Sequence, residues 1–470
     1  MKQFIGRRHE LDELDELYRR DGFQMLILYG RRRIGKSTLL QEFVTDKKAV
    51  FYTAIQSGAQ KNLELMSRRV LDALAPEMTG VSFRSYEELF SFLGRQCQNE
   101  RIVFVIDELP YLVEQDAPLL SVMQKYIDTE WSSGQMFLIL CGSSVSFMED
   151  EVLSEKSPLF GRRTAQLHLK PFPYREAAAF TPSYTLEEKA VCYGITGGVA
   201  KYLSLLDDTL TLDENITRLF FSKNGYLYEE PNNLLTQEFR NISTYNAIIG
   251  SVAAGRTKLA EIADLTHLDA STVNHAARNL IKTGILKKEL AITDEGNKKK
   301  NRYILADHMF RFWYQFVPDA VDAIELHRGD VYYQHIVKPR LSDYMGNVFE
   351  DICRAYTLEA GLEGQLACLV TRVGKWWGTD PAKREETDID VVGLDPIQKT
   401  AVIGECKFRN ESLDKSVFDR LVERQGLIDR RYRVIQYLLF AKSGFSDWVL
   451  EQRDNGTVKA ITLADMYDDK

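Results

Sequence analysis

The chain has 470 residues, of which 44% are hydrophobic and 27% charged, with a net charge of −8. That apolar content excludes a disordered chain, and no apolar run approaches the roughly 18 residues of a membrane span. The acidic balance excludes a globally basic nucleic-acid binder but leaves room for a local basic face. At roughly 100–200 residues per domain the length suggests about two to four domains. The opening MKQFIGRRHELDELDELYRR carries no apolar stretch of the kind that directs secretion. The expected compartment is therefore the cytoplasm, without membrane contact. Cys97, Cys141, Cys192, Cys353, Cys368 and Cys406 form no CxxC pair and are spread along the chain, which reads as reduced structural thiols.

Residues 1–205 alternate helical stretches with the apolar runs MLILYG (25–30), AVFYTA (49–54), RIVFVIDE (101–108) and QMFLILCGSS (135–144). Such runs, separated by helices, predict a parallel sheet covered on both faces. The first run leads into Gly30-Arg31-Arg32-Arg33-Ile34-Gly35-Lys36-Ser37 and then helical TLLQEF, which is G-x-x-x-x-G-K-[ST] between strand and helix. Small residues there let backbone N–H groups curl around phosphates at a helix N-terminus. Lys36 is expected to neutralise β/γ oxygens and Ser37 to ligate Mg²⁺, so ATP with Mg²⁺ is the expected cofactor. The three arginines inside the loop are suited to nucleotide, DNA or acidic neighbours.

RIVFVIDELPYL puts Asp107 and Glu108 at the C-terminal end of a strand, the edge at which α/β sheets bind ligands. Asp107 is expected to hold the hydration shell of Mg²⁺, and Glu108 to polarise the attacking water as general base. QMFLILCGSS ends in Ser143 and Ser144. Ser143 is placed to orient water between metal and γ-phosphate, with helix capping by Ser144 as the competing role. In SPLFGRRT (157–164), Arg162 and Arg163 either reach a γ-phosphate, in cis or from a neighbouring subunit of a homo-oligomer, or form a solvated pair on a loop.

FIGRRHEL (4–11), GRRRIGKST (30–38), VIDELPYL (105–112), CGSS (141–144), SPLFGRRT and ITGGVAKYL (195–203) together resemble the archaeal-type ATPase family of the AAA+/STAND NTPases. The resemblance implies that Ile5, Gly6 and Arg7 flank the adenine and that residues 30–38, including Thr38, hold the nucleotide. Ala200 stands where that family usually has proline.

Residues 206–310 shift to helical periodicity. TKLAEIADLTHLDASTVNHAARNLIKTGILKKELAI (257–292) reads as helix, turn, helix and β-ribbon, with Asp269 or Ser271 capping the second helix. That helix carries Thr272, Asn274, His275 and Arg278, a polar face suited to a groove. Between 271 and 311 nine Lys/Arg stand against four acids, and Lys298, Lys299, Lys300 and Arg302 would contact phosphates from a wing. A winged helix on duplex DNA is the expectation, and a lid or protein contact is the competing role. The aromatic FRFWYQF (310–316) reads as core at the start of a connector, 311–345.

In residues 346–470, DIDVVGL (388–394), a turn DPIQKT and AVIGECKF (401–408) read as a β-hairpin. Period-two alternation lets Asp390 meet Glu405 across the pair and puts Glu405 and Lys407 on one face. Adjacent carboxylates in an apolar hairpin call for a cation, and Mg²⁺ or Mn²⁺ is the natural one. Lys407 would position or activate a water, and Glu350 on the preceding helix would complete the metal shell with Asp390 and Glu405. D-x(14)-E-x-K resembles the PD-(D/E)XK nuclease superfamily, in the form that accompanies these ATPases. Asp388 stands where that family often has glutamate, and Gln425 is the nearby candidate for its helical glutamine. Trp376 and Trp377, read in a polar loop, are assigned to packing rather than base stacking. The seven histidines show no ligand spacing such as HxxxH.

The expectation is a multidomain α/β protein: a P-loop ATPase domain (1–205), a helical and winged-helix domain (206–310), the connector (311–345) and a restriction-endonuclease-like α/β domain (346–470). Its activity would be Mg-ATP hydrolysis coupled to DNA binding and control of a metal-dependent endonuclease. The alternative is a STAND-like nucleotide switch whose C-terminal domain only binds a partner.

Overall fold

The computed structural model describes residues 4–78, 80–293, 301–456 and 458–468. The chain divides into two units. One runs to Phe172 and adds Val199–Lys201, and the other comprises Pro173–Gly198 and the residues from Tyr202 onward.

The first unit contains five parallel strands, β1 (Gln24–Tyr29), β2 (Ala49–Thr53), β3 (Ile102–Asp107), β4 (Met136–Gly142) and β5 (Ala165–His168), ordered β2-β3-β4-β1-β5. Strands β1, β3 and β4 are buried at every residue, as their continuous apolar sequences require. Alternation splits them between two cores. Met25, Ile27, Phe104 and Leu138 face one, and Leu26, Leu28, Val105 and Ile139 face the other. Because β4 lies between β1 and β3, the loops leaving all three strands open on the same sheet edge.

The second unit takes in residues 173–198, a stretch that the sequence pattern joined to residues 1–172. The helix Leu186–Thr196 there packs on the helices His308–Phe316 and Leu341–Leu362. Tyr344 brings its hydroxyl 2.6 Å from the Gly194 carbonyl and 2.9 Å from that of His308. Gly194 permits the approach, since a Cβ there would lie 2.7 Å from the Met345 sulfur. Phe310, Phe312 and Phe316 are buried, in keeping with the core reading of that aromatic run.

The helices Ile242–Ala253, Leu259–Thr266 and Ala270–Lys282 lead into an antiparallel ribbon, β6 (Leu286–Glu289) and β7 (Arg302–Leu305). Asp269 caps the third helix, accepting from the backbone N–H groups of Ser271 and Thr272 at 3.0 and 2.9 Å. His275 and Arg278 on that helix are exposed. Lys298, Lys299 and Lys300 lie outside the described residues.

A mixed sheet follows, formed by β8 (Arg372–Asp380), β9 (Glu385–Asp395), β10 (Thr400–Lys407), β11 (Arg433–Ala441) and β12 (Val458–Thr462), in the order β12-β11-β10-β9-β8. β8, β9 and β10 are antiparallel, whereas β10, β11 and β12 are parallel. The expected hairpin is β9–β10. Trp376 and Trp377 belong to strand β8 rather than to a loop. Both are largely buried, Trp376 in the sheet's apolar core with Ile292 and Trp377 beneath the Arg302 guanidinium at 4.7 Å. The six cysteines are free and buried. Among the described residues no helix is long and apolar enough to cross a membrane.

Candidate functional site

The loop after β1 is shaped by its glycines. Gly30 (φ 152°) admits no side chain, because a Cβ would stand 2.4 Å from the Leu169 carbonyl oxygen. Gly35 (φ 94°) adopts the left-handed backbone that opens the helix Lys36–Phe43. Lys36 is buried, and its ammonium donates to the carbonyls of Gly30 (2.8 Å) and Arg31 (3.0 Å). Burial pushes this ammonium below its ordinary value, against the opposing pull of Glu108 and Asp107. A buried cation tied only to loop carbonyls, at a helix N-terminus, is a ready cradle for phosphate.

Ser37 Oγ donates to Asp107 Oδ2 at 2.7 Å, joining the loop to the end of β3. The two oxygens form a hard donor pair suited to Mg²⁺. Glu108 is set apart from the strand by a left-handed backbone (φ 56°, ψ 44°), and Ser143 donates to it through its hydroxyl at 2.7 Å. Ser143 therefore positions the carboxylate in this arrangement, while Ser144 caps the following helix through the Phe147 N–H at 3.5 Å.

Around the loop, Arg32 donates to the Tyr111 hydroxyl at 3.2 Å, and Arg31, Arg33 and Ile34 complete the wall, Ile34 fully buried. Thr38 is exposed. Gly6 (φ 69°) and Arg7 (φ 61°) turn the chain beside Ile5. Arg7 is buried, stacks 4.0 Å over the Phe172 ring, and donates to the carbonyls of Ile34 (3.3 Å) and Lys170 (2.6 Å). It thus braces the loop from behind. Arg162 makes a two-pronged ion pair with Asp128, at 2.7 Å to each oxygen, and Arg163 donates to the Leu153 carbonyl at 3.3 Å. Neither arginine is a solvated free cation in this arrangement.

The second constellation lies in the second unit. Glu350, Asp388, Asp390, Glu405 and Lys407 line one pocket of about 460 Å³ together with Arg409, Arg420 and Arg424. Register brings Val391 opposite Gly404, so Asp390 and Glu405 follow as neighbours across the hairpin. Asp390 Oδ2 accepts from the Cys406 N–H at 3.0 Å, and Glu405 pairs with Lys407 at 2.7 Å and Arg424 at 3.4 Å. Burial raises the Glu405 carboxyl and the neighbouring Asp390 adds to it, against Lys407 and Arg424. Burial likewise raises Glu350, with Asp390 adding and Lys375 and Arg354 opposing.

Sequence reasoning missed Lys375 and Arg354. Lys375 Nζ lies 2.9 Å from Glu350, 2.9 Å from Asp388 and 3.6 Å from Asp390. Arg354 reaches Glu350 at 3.2 Å and the Asp390 carbonyl at 2.9 Å. The expected metal shell of Glu350, Asp390 and Glu405 is thus not assembled. Its oxygens turn to Lys375, Arg354, Lys407, Arg424 and a backbone N–H. Among the described residues no three His, Cys, Asp or Glu side chains gather closely enough to hold a metal ion. Gln425 is bonded elsewhere, accepting from the Tyr437 hydroxyl at 2.6 Å.

Asp351, one residue from Glu350, joins the three-helix region to this pocket. It meets Arg354 (2.8 Å), Lys287 (3.4 Å), His308 (3.4 Å) and Arg311 (3.7 Å). Burial pushes its carboxyl up, but His308, Lys287, Arg354 and Arg311 outweigh this and hold it well below the ordinary range.

The strand order, the glycine-shaped loop and the acidic strand end define an ATPase-type P-loop domain. Residues 4–206 match a family described as an ATPase domain predominantly from Archaea, and residues 313–418 match one described as archaeal and bacterial proteins of unknown function. The chain is 27% identical over 466 residues, 98% of its own length and 99% of the relative's, to the uncharacterized protein MJECL04 of Methanocaldococcus jannaschii. Among solved structures it is similar to the Walker-type ATPase PABY2304 of Pyrococcus abyssi, with 18% identity and a TM-score of 0.52, over 66% of this chain and 96% of that one. This last likeness is one of fold.

Proposed function

We propose that the first unit binds and hydrolyses Mg-ATP and that the nucleotide state governs how the second unit engages duplex DNA. The observation that carries the hydrolytic reading is the Ser37–Asp107 hydrogen bond at 2.7 Å, with Glu108 held beside it by Ser143. The loop amides and Lys36 bind the phosphates, Lys36 exchanging its two loop carbonyls for phosphate oxygens. Ser37 and Asp107 would hold Mg²⁺, which supplies charge neutralisation on the phosphates. Glu108 accepts a proton from the attacking water, and Ser143 keeps its carboxylate aimed.

The DNA reading is supported by the exposed His275 and Arg278 on a capped helix and by the basic excess over residues 271–311. The pocket around Asp390, Glu405 and Lys407 supports a nuclease-like ancestry for the second unit, whose controlled activity would be endonucleolytic. One observation favours a second reading, a nucleotide switch with a silent C-terminal pocket: Lys375 already lies within 3.6 Å of three of that pocket's carboxylates. ATP turnover measured with and without duplex DNA separates the two. Stimulation by DNA is the expected result, whereas turnover indifferent to DNA together with nucleotide-induced oligomers would replace it with the switch.

A further inference from the structure

Four carboxylates in the second unit's pocket, Glu350, Asp388, Asp390 and Glu405, meet four cations of the chain itself: Lys375, Arg354, Lys407 and Arg424. Each of these four acids thus has a cation of the chain beside it. Lys375 is the central cation, within 3.6 Å of three of the four acids and with 18% of its side chain exposed. Two of those acids, Glu350 and Asp390, belong to the oxygen set that a divalent ion would require.

How Lys375 comes to lie there is visible in the strand. The β8–β9 register breaks between Gly374 and Trp376, where two residues of β9, Asp390 and Val391, stand against the single Lys375 of β8. Bulges re-aim a side chain out of strict alternation. The backbone is fixed at the same point, since the Lys375 carbonyl accepts from the Ile292 N–H at 3.0 Å. Gly374 admits Ile292 so closely that a Cβ there would stand 3.1 Å from the Ile292 Cβ. The ammonium is thus held from both ends, by carboxylates in front and by the segment after β6 behind.

We infer that Lys375 is a built-in counter-cation that closes this pocket to divalent metal, so that Mg²⁺ or Mn²⁺ enters only when Lys375 is withdrawn. A divalent ion needs carboxylate oxygens at about 2.0–2.6 Å. An ion bridging Glu350 Oε2 and Asp390 Oδ1 would stand where the ammonium stands, and two like charges a few ångströms apart repel strongly in a half-buried site. Arg354 adds a second fixed charge beside Glu350. The inference rests on the nuclease-like reading of the pocket for its biological sense, but not for its test.

The test is calorimetric titration of the nucleotide-free full chain with Mn²⁺ alone, for wild type, Asp390→Asn, Lys375→Met, Lys375→Arg and Lys375→Met/Asp390→Asn. Wild type and Lys375→Arg should show no saturable binding that depends on Asp390. Lys375→Met, which keeps the length and removes the charge, should bind Mn²⁺ at least tenfold more tightly, and the added Asp390→Asn should abolish that gain. Circular dichroism establishes that each variant is folded, and the wild-type titration stands as a test even if Lys375→Met does not fold. Mn²⁺ binding by wild type that a single Asp390→Asn removes would overturn the inference, as would a folded Lys375→Met that gains nothing. Plasmid nicking by the metal-loaded Lys375→Met variant is a separate readout. Binding without nicking would retain Lys375 as the closure and reject the nuclease reading.

Discussion

Replacing Asp351 by asparagine keeps the size of the side chain and removes the charge that faces Lys287, His308, Arg311 and Arg354. Breaking a buried ion pair from one side costs about 3–5 kcal/mol, because the remaining charges are left uncompensated. Asp351 retains 20% side-chain exposure, so solvent screening reduces the expected loss to about 2–3 kcal/mol. For a unit of this size that corresponds to a fall of roughly 3–5 °C in the midpoint of the second unit's unfolding transition. The pH dependence follows from the direction of the shift. The Asp351 carboxyl lies below its ordinary value of 3.8 in the folded chain, so its contribution is present above that value and is lost as pH falls toward the folded one. The gap between wild type and Asp351→Asn should therefore be present at neutral pH and shrink once the pH falls below about 4. Thermal unfolding followed by circular dichroism across that range is the assay. A variant within about 0.5 kcal/mol of wild type at neutral pH would refute the reasoning, because desolvation would then cancel the whole network.

Gly30→Ala should weaken ATP binding at least tenfold, read with a fluorescent ATP analogue, because the new Cβ would stand 2.4 Å from the Leu169 carbonyl oxygen; unchanged affinity would show that the loop has room to relax. Glu108→Gln should retain ATP binding while single-turnover hydrolysis falls by about 10²–10⁴, the usual contribution of a positioned base, and rapid turnover in that variant would require another base. Arg278→Ala should weaken duplex binding and lower the salt slope by about one; an unaltered isotherm would move the DNA contact off this helix.

The nucleotide site was legible because its chemistry lies at strand ends, where a continuous apolar run fixes the strand and a glycine or acid marks its exit. MLILYG, RIVFVIDE and QMFLILCGSS became β1, β3 and β4, and the strand order brought Ser37 to Asp107 and Ser143 to Glu108. The sequence did not foresee that last pair, because Ser143 was read against a water rather than against a carboxylate supplied by a neighbouring strand. The β9–β10 hairpin was legible from alternation and its turn. Lys375 was not, because it meets the pocket's acids across a bulge in β9, where Asp390 and Val391 together oppose it, and nothing in DIDVVGL marks that break. For Arg162 the sequence leaves a finger and a solvated pair open, and its partner Asp128 lies 34 residues away, a pairing with no local signature. The union of residues 173–198 with the second unit rests on the same kind of long-range packing, in which Gly194 matters only because Tyr344 and Met345 arrive there.

The central claim is that residues 30–37, Asp107 and Glu108 form a working ATPase centre. Its most direct test is Mg²⁺-dependent phosphate release from ATP by wild type and by Lys36→Ala, with folding of the variant established by circular dichroism. Wild type should turn over ATP only with Mg²⁺, and the variant should lose that turnover, because the buried cation of the cradle is gone. Equal turnover by the two proteins would contradict it.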